Sequence, residues 1–309
     1  APRGARHFLA SEDRAGSVGR APRGARHFLA SEEGAGSVGG ALLLTAFVVH
    51  GAGIATRVVL GGRPPVSNFY ETMLWLPFVA VGLSLVFERF SPVRYFSLSA
   101  SMLAAIMLVL ADVVPLDSSV APVVAVLRSN LWLTIHVLTI VASYGALALA
   151  TILAHFYAWT YLTGRNNAQQ ALTTLADALY RVIQVGVVLL AGGIMLGAVW
   201  ANASWGRYWG WDPKETWALI TLLWFIALLH GRLAGWLNGI GIAAATIGGF
   251  FLLLMTYYGV SFYLVGLHSY AGGHAKPLPP LLIAYLIAES AFLLAIALTA
   301  LRRSRLKSA

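Results

Sequence analysis

The sequence predicts an all-α polytopic integral membrane protein, a bundle of about eight transmembrane helices, and three observations predict it. Of the 309 residues, 59% are hydrophobic and 11% charged. Mean hydropathy is +0.75, far above that of a soluble domain. The apolar residues also fall in runs of the roughly 20 residues that a spanning helix needs, separated by short polar stretches. One compact bundle is therefore expected.

In chain order the runs read as Ala41 to Leu60, Tyr70 to Phe87, Tyr95 to Val114, Leu131 to Thr163, Leu175 to Val199, Thr216 to Leu233, Gly239 to Val265 and Leu281 to Leu301. The fourth and fifth are long enough to project beyond the hydrocarbon, with Gly164, Arg165, Asn166 and Asn167 turning between them. Orientation follows from the basic residues. Arg89, Arg94, Arg165, Arg232 and the terminal Arg302, Arg303, Arg305 and Lys307 fall on one side of an eight-helix path, with the arginines of the N-terminal tail. By the positive-inside rule both termini are then cytoplasmic. The loops after the first, third, fifth and seventh helices, including Asp112 and Asp117, face the opposite, outer side.

Three parts are expected. Residues 1–20 and 21–40 are nearly the same segment, differing at Asp13/Glu33, Arg14/Gly34 and Arg20/Gly40. Two copies do not make a solenoid. The unit is rich in Gly, Ala, Ser and Arg with little to bury, so 1–40 is expected to be a mobile tail, and it is assigned no function. Residues 41–301 form the transmembrane domain, and 302–309 a basic tail. The net charge of +9 resides in these tails and at helix ends, which fits membrane anchoring and gives no reason to expect nucleic acid. With no cysteine, the chain supplies no thiolate as ligand or nucleophile, and thiol chemistry must come from a partner.

The most informative segment is 202–217, between the fifth and sixth helices on the outer side. It contains Trp205, Tyr208, Trp209, Trp211 and Trp217, five aromatic residues within thirteen positions. Any one of them fits an interfacial aromatic belt. Together, with Gly206 and Gly210 permitting close backbone approach, they suit a platform for a large flat ligand. Asp212 followed by Pro213 and Glu215 reads as an N-cap with a capping box. A helix N-terminus there offers positive potential for a carboxylate, and Arg207 and Lys214 add charge. A flat apolar body with acidic substituents, such as heme with its propionates, is the ligand class that fits.

Outside the tail the histidines are His50, His136, His155, His230, His268 and His274. A lone histidine in a membrane helix is more often packed than liganding, although any intramembrane ionisable group is a functional candidate. His136 and His268 should both stand at the depth of the tryptophan segment, where two neutral imidazoles make a suitable axial pair for heme iron. His230 lies roughly 21 Å further in, at about 1.5 Å per residue, as a candidate for a second, inner site or as a packing residue. His50, His155 and His274 have no comparable context and are not expected to ligate.

The run Trp205 to Trp217 resembles the tryptophan-rich WWD signature of heme-handling proteins. With the flanking histidines the chain is similar to the CcsA/ResC family of system II cytochrome c biogenesis. Pro65-Val66-Ser67-Asn68-Phe69-Tyr70-Glu71, Ser143-Tyr144 and Gly266-Leu267-His268-Ser269-Tyr270 extend the match, which covers roughly 41–301. The resemblance implies a subunit of a cytochrome c heme lyase (holocytochrome c synthase) that carries heme b across the membrane and presents it for thioether attachment to Cys-x-x-Cys-His of apocytochrome c. It places His136 and His268 as outer axial ligands, until the substrate histidine displaces one, and His230 at an inner transmembrane heme site. It makes Trp205, Arg207, Trp209, Trp211, Asp212, Lys214 and Trp217 heme-binding. It also implies a CcsB/ResB-like membrane subunit and a thiol-reducing partner, in a bacterial inner or plastid thylakoid membrane.

Two other classes stay open at this point: a heme exporter without synthase activity, and a bis-histidine electron-transfer subunit. Covalent heme on a Cys-x-x-Cys-His reporter separates the first from a synthase, and reaction with quinol marks the second. On the synthase reading His136→Ala or His268→Ala abolishes reporter maturation, while His50→Ala and His155→Ala leave it near normal, as heme staining of the reporter would measure.

Overall fold

The structure is a computed structural model that describes residues 23–90, 94–114, 116–120, 131–164, 168–268 and 277–308. The chain divides into two compact units, Ala1–Leu42 and Leu43–Ala309. Among the described residues eight helices are long and apolar enough to cross a membrane. They are α1 (Arg23–Gly61), α2 (Phe69–Phe90), α3 (Tyr95–Val113), α4 (Leu131–Thr163), α5 (Ala168–Trp205), α6 (Pro213–Leu233), a rod made of α7 (Gly239–Leu254), a π turn (Met255–Gly259) and α8 (Val260–Tyr263), and finally α9 (Pro280–Ser308).

The fold class and the number of spans agree with the sequence, and the differences are at helix ends. α1 starts at Arg23 instead of Ala41; Arg, Ala, Leu and Glu, all good helix formers, make up eight of the thirteen residues from Arg23 to Ala35. α5 runs on to Trp205 instead of stopping at Val199. It ends where Gly206 turns to φ +70° and sends its N–H back to the Asn202 carbonyl at 2.9 Å, a left-handed glycine stop. α6 opens at Pro213 on an Asp212 cap, and α9 carries the basic terminal residues as far as Ser308. His274 and the Ser269-Tyr270 pair lie outside the described residues, as does the whole first copy of the repeat.

α4 is the axis of the second unit. Of its most apolar window 72% is buried, against 33% for α5 and 11% for α9, and it packs against α2, α3, α5, α7 and α9. Its sequence explains this. Ser143, Gly145, Ala146, Ala148, Ala150, Ala154 and Ala158 are all buried, and lipid tails are as apolar as leucine, so membrane helices associate where small residues let backbones come close. A Cβ on Gly145 would stand 2.7 Å from the Leu76 carbonyl of α2. On the α5 side a Cβ on Gly193 would meet Ile140 at 2.8 Å, and one on Gly186 would meet Leu147 at 2.6 Å. Leu147, Leu149 and Leu153 of α4 and Leu175, Leu179, Ile183 and Leu190 of α5 are fully buried.

The α1–α2 connection is pinned by a buried carboxylate. Glu71 takes Arg57 at 3.3 Å, Arg63 at 2.8 Å and the Ser67 N–H at 2.8 Å, while Arg57 also reaches the Ser118 carbonyl at 3.0 Å. The charge is thus paired and hydrogen-bonded, as a buried one must be. It sets Val66, Ser67 and Phe69 at the end of the bundle where α4 begins and α5 ends.

Gly145→Val forces a branched side chain onto the Leu76 carbonyl, which is backbone and cannot rotate away. Overpacking of this kind costs about 1–3 kcal/mol. A lower melting temperature and less monodisperse protein in detergent are expected, and an unchanged melting curve would contradict the close α2–α4 approach.

Candidate functional site

One cavity of about 350 Å³ opens at the end of the bundle where α4 starts and α5 stops. That is within the usual size of a ligand site. Its wall includes His136, Trp200, Trp205, Trp209, Lys214 and His268, with Tyr144, Ala218 and Tyr257 deeper in. Residues 132 positions apart in sequence therefore meet at one site, His136 from α4 and His268 from beyond α8.

Each imidazole has its tautomer fixed by a partner on Nδ1. The His136 Nδ1 lies 2.7 Å from the Gly193 carbonyl. A carbonyl only accepts, so Nδ1–H donates and Nε2 keeps its lone pair. Room for the ring comes from α5: a Cβ on Gly197 would lie 2.6 Å from His136 Cε1. Gly193 and Gly197, four apart, thus form one recess that takes the ring and satisfies it. His268 Nδ1 lies 2.8 Å from Asp212 Oδ2. It donates to a carboxylate and leaves Nε2 free among the described residues, the arrangement that orients metal-binding histidines in many sites.

Asp212 does more than cap α6. Its Oδ2 accepts the Lys214 N–H at 3.0 Å, and its Oδ1 accepts the Leu267 N–H at 2.6 Å. Glu215 closes the capping box by accepting the Asp212 N–H at 3.1 Å and the Gly210 N–H at 2.8 Å. A Cβ on Gly266 would lie 2.6 Å from Asp212 Oδ1, so the 266–268 segment docks only because that position is glycine. Burial works against the Asp212 charge, but the hydrogen bonds from His268, Leu267 and Lys214 outweigh it and hold the carboxyl below its ordinary range. The donors at the α6 N-terminus that the sequence offered to a ligand carboxylate are thus already taken by Asp212 and Glu215.

Lys214 fills the role of cation instead. Its ammonium lines the cavity and donates to the Tyr257 carbonyl at 3.1 Å and Ser261 Oγ at 2.9 Å. Tyr257 lies in the π turn, whose extra residue takes its carbonyls out of the regular ladder. Among the described residues no carboxylate comes within ion-pair distance of Lys214. An anionic group in the cavity would add a direct ion pair to it.

The tryptophan segment separates into three roles. Trp205 and Trp209 line the cavity, whereas Trp211 stands outside it, 70% exposed, with φ +57°. A left-handed φ on a bulky residue costs of order 1–3 kcal/mol, which Asp212 and Glu215 hold in place from either side. Arg207 does not face the cavity: it lies over the Trp205 ring at 5.7 Å and pairs with Glu215 at 3.6 Å, filling the place a Gly210 side chain would need. Trp217 is inside α6 and outside the cavity wall. These three residues of the predicted set are near the site, not in it.

His230 is not brought to the cavity either. It is exposed on α6 near the opposite end, with Nδ1 2.8 Å from the Ile226 carbonyl and Nε2 uncommitted among the described residues. His50 packs edge-on to Phe78 at 5.7 Å. His155, given no partner by the sequence, makes a 2.7 Å bridge to Glu289, away from the cavity.

Sequence reasoning missed Trp200. It is 3% exposed and central: its ring is 6.4 Å from His136 and nearly parallel to it, 6.2 Å from His268 and 4.6 Å from Trp205. Its buried Nε1–H has no hydrogen-bond partner among the described residues. A buried donor left unpaired costs on the order of 1–3 kcal/mol. The available signal was Gly193-x-x-x-Gly197 on the same helix, a small-residue step that marks a close neighbour.

A family model described as cytochrome C assembly protein matches residues 66–268, and Val66 and His268 at its two limits both line the cavity. NrfI of Wolinella succinogenes is 39% identical over 239 residues, 75% of this chain, and the chain spans 26% of that protein's length. CcsA of Guillardia theta, a cytochrome c biogenesis protein, is 36% identical over 250 residues, 70% of this chain and 80% of the relative. CcsA of Prochlorococcus marinus is 35% identical over 246 residues, 69% and 77% respectively.

The Asp212 linkage has a definite sign. Its folded carboxyl titrates below the ordinary value, so the tie between α6 and 267–268 is fully present above that ordinary value and is lost as pH falls through the lowered one. Hydrogen exchange at the Leu267 amide should stay slow through the ordinary carboxyl range and quicken only below it. In Asp212→Ala it should be fast at every pH; slow exchange there would contradict the tie.

Proposed function

We propose, from the premise that this chain belongs to the cytochrome c assembly protein family in its CcsA branch, that the cavity receives heme b and presents it for covalent attachment to apocytochrome c. The protein serves cytochrome c biogenesis from within a membrane. The finer role is our reading, and one observation carries it: His136 and His268 reach the same cavity with Nδ1 committed and Nε2 free. Two neutral imidazoles of fixed tautomer suit axial ligation of heme iron.

The rest of the wall fits the remainder of such a ligand. Trp205 and Trp209 offer faces to an apolar macrocycle. The Lys214 ammonium is a donor suited to a propionate oxygen. Asp212 acts through His268, whose ring it holds, and Arg207 and Glu215 act through the backbone of 210–212. Trp211 and Trp217 support the segment from outside the cavity. At the other end of α6, His230 has a free Nε2 on an exposed face, which suits an inner heme site completed by a histidine of a CcsB/ResB-like membrane subunit.

Each thioether forms when a cysteine S–H adds across a heme vinyl C=C, sulfur bonding one carbon and hydrogen ending on the other. The thiols belong to the Cys-x-x-Cys-His segment of the apocytochrome, kept reduced by a thiol-reducing partner, because this chain has no cysteine. What its residues contribute is position. His136 and His268 fix the ligand's centre, the indoles its plane and Lys214 its acidic edge, so that vinyl carbons and incoming thiols meet at high effective concentration. On this reading the chain is the CcsA-like subunit of a cytochrome c heme lyase. The cavity faces the outer side of a bacterial inner membrane, or the lumenal side of a thylakoid, with the termini on the other side.

With the partner subunit and a Cys-x-x-Cys-His reporter co-expressed, His136→Ala and His268→Ala should each lower reporter heme staining by about tenfold or more, with part restored by free imidazole. Asp212→Asn, which keeps an acceptor but loses the charge, should fall between these and wild type, in the roughly 10–100-fold range of outer-shell changes. Wild-type staining in His136→Ala would refute the ligand assignment.

A further inference from the structure

Away from the cavity, α4 and α9 share a polar contact. His155 Nε2 of α4 meets Glu289 Oε1 of α9 at 2.7 Å, and the Glu289 side chain is 9% exposed. Both residues lie inside spans long and apolar enough to cross a membrane. An ionisable group at such a depth is costly unless paired.

The bonding pattern counts the protons. His155 Nδ1 lies 2.8 Å from the Thr151 carbonyl, which only accepts, so Nδ1 carries a hydrogen. At 2.7 Å the Nε2–Oε1 contact needs one hydrogen between the two atoms. Either an imidazolium donates to a carboxylate, or a carboxylic acid donates to a neutral imidazole. Both forms hold the same proton and both are neutral overall. Without it, a nitrogen lone pair faces an anionic oxygen in an apolar medium. His136, His230 and His268 also engage Nδ1, but among the described residues none of them sets Nε2 against an acid.

The contact also sits where α9 is fastened. Among its described residues only Glu289 and Ile296 are buried, seven apart, and Arg303, seven further, lies over the Tyr161 ring of α4 at 4.3 Å. One stripe of α9 therefore faces the bundle, and Phe292 within it stacks on the His155 ring at 5.5 Å and 7°. Among the described residues the other titratable group facing the pair is Tyr285, one turn from Glu289 on α9 itself. From α7 comes Phe250, edge-on to Tyr285 at 6.2 Å, with no charge.

We propose that His155 and Glu289 form a proton-binding site within the membrane that fastens α9 to α4 while the proton is bound and loosens it when the proton leaves. The ligand is a single proton, released as the pair passes from neutral to anionic, with no other bond made or broken. The site is independent of any heme reading.

The test uses the full chain in lipid nanodiscs. Because it has no native cysteine, spin labels attach only at Thr163→Cys on α4 and Ser304→Cys on α9. These exposed helix ends lie close together, since a Cβ on Gly164 would be 3.7 Å from Arg303. Pulsed electron resonance should give one narrow label distance at acidic and neutral pH. A second, longer population should appear as pH rises. Glu289→Gln, whose amide N–H bonds Nε2 without a titratable proton, should keep the narrow distance at every pH. Glu289→Leu should show the longer population at every pH. A wild-type distribution that matches Glu289→Gln at all pH values would overturn the proposal, as would a narrow distance in Glu289→Leu.

Discussion

The Asp212 carboxylate joins two stretches of chain that are far apart in sequence. Its donors come from the first turn of α6 and from the segment beyond α8, 55 and 56 positions away for Leu267 and His268. A carboxylate with several N–H donors is a strong local anchor, because charge-assisted hydrogen bonds are roughly twice as strong as neutral ones. The anchor fixes the direction in which His268 points, since both oxygens are occupied and the ring has one remaining approach. Without it the residues after Tyr263 would have no reason to return to the α5–α6 connection, and the cavity would lack one wall.

The opposite wall is made by absence of side chains. Gly193 supplies a carbonyl and Gly197 a recess, and together they accept an imidazole between two long helices. This works only because α4 and α5 pack tightly along the rest of their length, where Ile140 and Leu147 of α4 close on Gly193 and Gly186 of α5. Close packing of small and large residues surrounds His136, which is placed by the bundle, whereas His268 is placed by its bond to Asp212 and by the Trp200 and Trp205 rings. Two different kinds of force meet at one cavity. The π turn adds a third element, because it turns the Tyr257 carbonyl to a lysine that would otherwise have one acceptor fewer.

Much of this was legible in the residues. Eight apolar runs became eight spans, because length and hydropathy alone decide which segments cross a bilayer. The Asp212-Pro213-Glu215 cap was also readable, since capping is local and each residue acts within one turn. So was the placing of His136 and His268 at one end, one near the start of its span and the other just after the end of its own. Trp200 was not, because a tryptophan near a helix end looks the same whether it faces lipid or a cavity. Nor was Glu289 as the partner of His155, 134 positions away; nothing in either neighbourhood announces the other. The role of Asp212 was half visible: its cap is local, but its hold on His268 is a tertiary contact. Helix ends moved for equally plain reasons, as at Trp205, where hydropathy falls before the helix does.

The central claim is that two imidazole nitrogens, from His136 and His268, converge on one ligand in this cavity. The most direct measurement is the low-temperature electron paramagnetic resonance spectrum of the purified protein loaded with ferric heme. A low-spin signal of two-imidazole ligation is predicted, converting to high spin when either residue is replaced by alanine. A high-spin signal in the unaltered protein, or a low-spin signal that survives replacement of both, would contradict the account.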